Sequence, residues 1–259
     1  MNSMKFVIPS FQRPQGLLDK TLKYLDHMNI DRSDVYVFIR EDDKHLIDYQ
    51  SLAQQRGINL LPIDIKGIGA THNYITEHFE EGEFIVEIDD DLEYIVDENR
   101  KPVEDFLSVC QEMKDKMEFV GCSYGGTYSV CNPMFMSKCE KYTTDLRYCL
   151  GCLRFRFIRK DIKVVTNYAE DMENCILHFL RDGKILKNNH IAPKTKNYNE
   201  GGCDGDGRNF ESEKKDKEYL ADKYFMYCRL FKRKNGRWDC RLKEYRSGPN
   251  MSNPENHKF

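Results

Sequence analysis

Four short apolar runs, spaced by segments of helical period, organise the first 90 residues of this chain. Residues 5–9 (Lys-Phe-Val-Ile-Pro), 35–39 (Val-Tyr-Val-Phe-Ile), 59–65 and 84–88 (Phe-Ile-Val-Glu-Ile) read as buried strands. Between the first two, Leu17, Leu18, Thr21, Leu22, Leu25 and Met28 recur every three or four residues, the period of a helix with one buried face. Further helices are expected over 46–56, ended by Gly57, and from the glycine loop 66–69 through residue 79. Strands alternating with helices predict a parallel α/β sheet, in which ligands gather beyond the carboxyl ends of the strands. The residues that matter first are therefore Ser10 to Arg13, Arg40 to Asp43, Lys66 to Asn73 and Asp89 to Asp91.

Composition narrows the class. A chain of 259 residues with 40% apolar content can bury one large core, which excludes a mainly disordered or collagen-like protein. No apolar stretch approaches the roughly 20 residues that cross a bilayer, and the N-terminal residues lack the pattern of a secretory signal. A cytoplasmic chain without a membrane partner is expected. The ten cysteines are scattered, which fits reduced thiols. Cys149-Leu-Gly-Cys152 lacks the second pair that a zinc site needs and reads as small buried hydrophobes.

The second part of the chain is less regular. A helix is expected near 103–117, antiparallel strands with loops up to residue 160, a helix over 170–181 and a strand over 184–191. Near the end, 229–233 and 237–242 flank Asn235-Gly236, a strong hairpin signal. Charge is uneven: residues 1–179 hold 21 Lys and Arg against 31 Asp and Glu, whereas 180–259 hold 19 against 12. That basic last third suits a polyanion, though the same residues also suit a solvated edge. Tyr227, Phe231, Trp238 and Tyr245 add rings on which a base can stack.

Three carboxylates at the end of a buried strand, Asp89-Asp90-Asp91, repel one another unless a cation compensates. Hard oxygens suit Mg²⁺ or Mn²⁺, whose coordination is commonly completed by substrate phosphates. Lys66-Gly67-Ile68-Gly69 opens a helix, and glycines at a helix N-terminus favour a diphosphate. The loop is neither a Walker loop nor a dinucleotide fingerprint. Glu170-Asp171 opens a later helix as either a helix cap or a general base.

This layout resembles a GT-A glycosyltransferase, with Asp89-x-Asp91 as the DxD motif. The ordered set Val7-Ile-Pro-Ser-Phe-Gln-Arg-Pro14, Gly67-Ile-Gly-Ala-Thr-His-Asn73, Ile88-Asp-Asp-Asp-Leu92, Asp145-Leu-Arg-Tyr-Cys-Leu-Gly151, Glu170-Asp171, Pro193-Lys-Thr-Lys196 and Gly201-Gly202 is similar to the TET/JBP-associated glycosyltransferases of phages and large viruses. One departure is His72, where that family leads one to expect arginine. The resemblance implies a GT-A-like Rossmann-type mixed sheet flanked by helices with a C-terminal basic β-hairpin. It would form one domain over 1–246, with a nucleotide-sugar half (1–100), an acceptor half (101–246) and a tail (247–259).

The activity implied is metal-dependent transfer of a sugar from a nucleotide-diphosphate sugar, UDP-linked, to 5-hydroxymethylpyrimidine in DNA. Residue by residue, Pro9, Ser10, Arg13, Arg40 and Glu41 would line the nucleoside pocket. Lys66, Gly67, Asn73, Asp90 and Lys194 would face the ribose or diphosphate. Asp91 and Asp89 would hold the Mn²⁺ or Mg²⁺, His190 would be a third metal ligand or a diphosphate donor, and Asp171, with Glu170, would be catalytic. Alternatives that remain open are a viral enzyme acting on capsid protein or glycan, a metal-dependent nucleotidyltransferase or nuclease, and a non-catalytic module that keeps the fold. The sequence leaves the oligomeric state open.

Overall fold

The computed structural model describes residues 4–195 and 202–243. Lys196, Gly201, Tyr245 and the 247–259 tail lie outside them. In chain order the strands are β1 (Lys5–Pro9), β2 (Val35–Arg40), β3 (Asn59–Ile63), β4 (Phe84–Ile88), β5 (Leu92–Asp97) and β6 (Tyr124–Thr127), then β7 (Tyr142–Thr143), β8 (Leu153–Phe157), β9 (Leu186–Asn188), β10 (Ile191–Thr195), β11 (Cys228–Lys232) and β12 (Trp238–Leu242). The helices are α1 (Pro14–Leu17), which continues through a π turn (Leu18–Leu22) into α2 (Lys23–His27), then α3 (Leu46–Arg56), α4 (Ile68–His78) and α5 (Phe106–Val120). They continue as α6 (Pro133–Met136), α7 (Glu170–Asp182), α8 (Gly202–Gly205) and α9 (Phe210–Lys223).

Eight strands form one mixed sheet in the order β3-β2-β1-β4-β8-β6-β9-β7. The first four run parallel, with Phe6 beside Val35, Val37 beside Leu60 and Lys5 beside Ile85. β8 then inserts antiparallel between β4 and β6. The carboxyl ends of β1 to β4 therefore lie on one edge, as the strand–helix rhythm requires. Alternation along each strand splits the core in two. Phe6 and Ile8 pack in a cluster with Leu22, Tyr24 and Phe106, whereas Val7, Phe38 and Ile85 pack with Ile75 and Phe79.

Helix ends follow local chemistry. Gly57 and Gly121 take left-handed φ values of 67° and 70° and close α3 and α5. Asp105 accepts from the Ser108 amide at 2.8 Å, so α5 starts at Phe106, three residues later than the sequence pattern predicts. The expected strand 184–191 is two strands, broken at Asn189-His190, and β10 crosses to pair antiparallel with β5. β5 follows the acidic triplet directly and carries no separate signal in the sequence.

The C-terminal hairpin β11–β12 is present, joined through Gly236 at φ 86°. It is not a loose appendage. Leu220 of α9 and Tyr224 just after it, Cys228 and Cys240 of the hairpin and Ile176 and Phe179 of α7 share one apolar cluster.

Candidate active site

One large cleft of about 1040 Å³ opens at the carboxyl edge of the sheet. It brings together Pro9, Ser10, Arg13, Arg40, Gly67, Asp89, Asp90, Asp91, Glu170 and Asp171, ten of the residues singled out in the sequence. Its far wall is built from Phe231 and Asp239 to Leu242 of the hairpin, together with Arg233 and Arg237.

The acidic triplet is held by a side chain that helical period alone marks as an inward-facing position. The π turn seats fully buried Thr21 beneath the end of β4. Its hydroxyl donates to the Asp89 carbonyl at 2.7 Å and accepts from the Leu92 amide at 3.0 Å. The three carboxylates then diverge. Asp90 accepts from Ser10 Oγ at 2.6 Å and from Arg13 Nη1 at 3.1 Å, while Tyr49 Oη lies 2.7 Å from Ser10 Oγ. Because the serine proton goes to the carboxylate, the tyrosine donates to the serine. Asp90 thus ties the loop after β1 to the end of β4.

Half-buried Asp89 accepts no side-chain hydrogen bond among the described residues, and Asp91 lies 3.6 Å from Arg13 Nη1. Burial, with Asp91 adding repulsion, pushes the Asp89 carboxyl up to about 7. Burial also raises Asp90, to about 6, and Asp91. Two hard oxygen donors facing a cleft at an unfavourable charge are what a divalent cation would relieve. They fit a metal that takes its other ligands from water and phosphate. Among the described residues no group of three His, Cys, Asp or Glu side chains is arranged to hold a metal by itself.

Glu170 and Asp171 open α7 and line the same cleft. Asp171 accepts from the Tyr148 hydroxyl and, at 2.7 Å, from the Met172 amide. Burial, then the charge of Asp171, pushes Glu170 well above the usual carboxylate range. Glu170 Oε1 lies 3.6 Å from Arg154 Nη2, whose guanidinium is almost wholly buried on β8.

Five of the residues marked in the sequence do not line the cleft. His190 Nε2 donates to the Cys139 carbonyl at 2.9 Å. Asn73 bridges the backbone of Val164, donating to its carbonyl at 2.8 Å and accepting from its amide at 3.0 Å. Lys66 is largely exposed, 3.6 Å from Asp42, while Glu41 is exposed and Lys194 stands exposed on β10 opposite Tyr94. His72, in place of the expected arginine, is buried behind the cleft between Glu87 and Arg154.

The glycine loop has a different reason from the one its sequence suggests. A Cβ on Gly67 would stand 2.4 Å from Asn167 Oδ1, and one on Gly69 would stand 2.1 Å from the Thr166 carbonyl oxygen. The Gly69 amide already donates to Asn167 at 3.2 Å. These glycines let α4 press against the 166–167 segment, although Gly67 still reaches the cleft wall.

No protein-family model matches the chain, and no curated protein matches it in sequence. Solved structures match it in fold. Glucosyl-3-phosphoglycerate synthase from Mycobacterium tuberculosis, solved with Mn²⁺, UDP and glucosyl-3-phosphoglycerate, is 10% identical with a TM-score of 0.54, over 95% of this chain and 90% of that one. The fold is GT-A-like. S. aureus TarS is 12% identical with a TM-score of 0.53, over 85% of this chain. Its 1–349 fragment is 13% identical with a TM-score of 0.50, over 73% of this chain. The chain spans 40% of TarS and 60% of that fragment. In this GT-A-like frame the acidic triplet sits at the end of the fourth parallel strand, on the same cleft as Asp171.

Sequence reasoning missed Arg154, Asn167 and Lys187 and gave no role to Tyr148 within its motif, and all four line the cleft. Their partners lie far away along the chain, 82 residues in the case of Arg154 and His72, so no local pattern marks them.

Proposed function

We propose that this protein moves a sugar from a nucleotide-diphosphate sugar, UDP-linked, to the hydroxyl of a 5-hydroxymethylpyrimidine in DNA. The observation that carries the reading is that Asp89 and Asp91 after β4 and Asp171 in the first turn of α7 line one cleft of a GT-A-like fold. Asp89 and Asp91 would hold Mn²⁺ or Mg²⁺, which, when bound, offsets the negative charge that grows on the departing diphosphate.

The chain's own groups divide the remaining work. Arg13 and Ser10 are locked by Asp90 beside the donor site, and Arg40 lies 4.4 Å from the centre of the Phe11 ring at the rim where a nucleoside would sit. Asp171 takes the proton of the acceptor hydroxyl. The oxygen then bonds to the anomeric carbon as the bond from that carbon to the diphosphate oxygen breaks, and the electron pair leaves with the diphosphate. Tyr148 orients Asp171 and leaves it lone pairs for the acceptor. Glu170, raised by burial, is the protonated neighbour and not the base.

A DNA acceptor is supported by the hairpin wall. Lys232 lies 5.6 Å from the Trp238 ring centre and Arg241 5.6 Å from that of Phe231, so cations and rings alternate beside the cleft. The test is incubation with labelled UDP- and GDP-sugars and duplexes that carry or lack hydroxymethylpyrimidine. Label entering only the hydroxymethylated duplex supports the reading. Label entering protein or glycan instead, with none in DNA, overturns the acceptor.

A further inference from the structure

A second group of polar side chains lines the same cleft, with one buried oxygen left without a partner. Lys187 on β9 and Asn189 just past its end both line the cleft. Lys187 is 7% exposed. Its ammonium donates to the Tyr148 carbonyl at 2.6 Å and lies 5.1 Å from the centre of the Tyr128 ring. Among the described residues no carboxylate pairs with it. Asn189 is fully buried, and its amide nitrogen donates to the Glu140 carbonyl at 3.0 Å and to Thr143 Oγ1 at 3.2 Å. Its carbonyl oxygen accepts nothing.

A buried ammonium without counter-charge and a buried amide oxygen without a donor are both unfavourable unless a ligand completes them. The ligand edge that completes both presents an oxygen or nitrogen acceptor next to an N–H. We infer that Lys187, Asn189 and Tyr128 form the pocket for a pyrimidine base turned out of its stack, an inference that rests on the DNA reading above. Lys187 donates to a ring carbonyl, Asn189 accepts from the neighbouring N–H, and Tyr128 supplies an aromatic surface. Tyr148 links the pocket to the chemistry: its backbone carbonyl is held by Lys187 and its hydroxyl reaches Asp171. A base seated there carries its 5-hydroxymethyl group toward the proposed base catalyst.

Phosphate is the other chemistry a buried lysine attracts, and one comparison separates the two. Fluorescence anisotropy measures binding of the full chain, with UDP and Mn²⁺, to a duplex holding one 5-hydroxymethyluracil and to the same duplex with an abasic analogue at that position. The wild type is expected to prefer the base-containing duplex by about tenfold. Lys187→Gln should bring that preference to near one while leaving abasic affinity within about twofold, and Lys187→Arg should restore part of it. Equal loss on both duplexes would assign Lys187 to the backbone phosphates and overturn the pocket alone. If the wild type neither binds nor glycosylates the hydroxymethylated duplex, the DNA reading fails and the pocket fails with it.

Discussion

Arg154 Nη2 lies 3.1 Å from His72 Nε2, and because a guanidinium can only donate, that ring nitrogen is the acceptor. The imidazole proton is therefore on Nδ1, where it donates to Glu87 Oε1 at 3.0 Å. Glu87 Oε2 in turn lies 2.7 Å from Arg156 Nε. The result is a buried polar chain, Arg156–Glu87–His72–Arg154–Glu170, running from β8 and β4 to the first turn of α7. It fixes the helix start that carries Asp171.

Glu87→Gln removes the one carboxylate between two buried arginines. It is expected to cost about 3–5 kcal/mol, because breaking a buried pair leaves uncompensated charge. Urea unfolding measures this, and an unchanged midpoint would show that the network carries no stability.

His72 gives a pH dependence with a definite sign. Burial, then the charge of Arg154, holds it down at about 4, below the usual 6.5. Between these values the unfolded chain binds the proton and the folded one does not, so stability is lost as pH falls from about 6.5 toward 4. The raised carboxyls of Asp89 and Asp90 act in the opposite direction, so the test is a difference. Wild type should lose about 2–4 kcal/mol relative to His72→Gln between pH 7 and pH 4. Parallel stability curves would contradict it.

The hairpin cations are not equivalent. Arg237 pairs with buried Glu213 and braces the hairpin against α9, whereas Arg233 pairs with Asp239 within the hairpin. Tyr227, a stacking candidate in the sequence, is buried in the core. DNA contacts should come instead from Arg229, Lys232, Lys234 and Arg241. Replacing Lys232 and Lys234 with Glu should lower the slope of log affinity against log salt by about 1 per lost phosphate contact, without a change in thermal midpoint. Arg237→Glu should lower that midpoint.

The glycine loop offers a test of packing against ligand approach. Gly69→Ala drives a methyl group into the Thr166 carbonyl, a backbone atom that cannot swing aside. A loss of at least about 1–3 kcal/mol is expected in the absence of any nucleotide. Full stability with weakened UDP binding would restore the diphosphate explanation.

The parallel half of the sheet is legible because each of its strands is a short apolar run set off by a helical period, and α3 and β4 appear where the pattern puts them. α9 is not legible, since its inner face includes Glu213 at 3% exposure and Lys217 at 8%, which disguise an amphipathic helix as a polar one. On β8 the alternation Leu153, Phe155, Phe157 marks one core face, but nothing local says that Arg154 and Arg156 on the other face are also buried. In the site, the acidic triplet and Glu170-Asp171 declare themselves by clustered charge. Tyr148, Lys187 and Asn189 acquire their meaning only from the fold.

The central claim is that Asp89 and Asp91 hold a divalent ion against the diphosphate of a sugar nucleotide. Titration calorimetry of UDP into protein with and without Mn²⁺, repeated with Asp89→Asn and Asp91→Asn, tests it most directly. UDP binding should strengthen at least about tenfold with Mn²⁺ in the wild type and lose that gain in both variants, which should still unfold cooperatively. Mn²⁺-dependent UDP binding that survives in both folded variants would contradict the account.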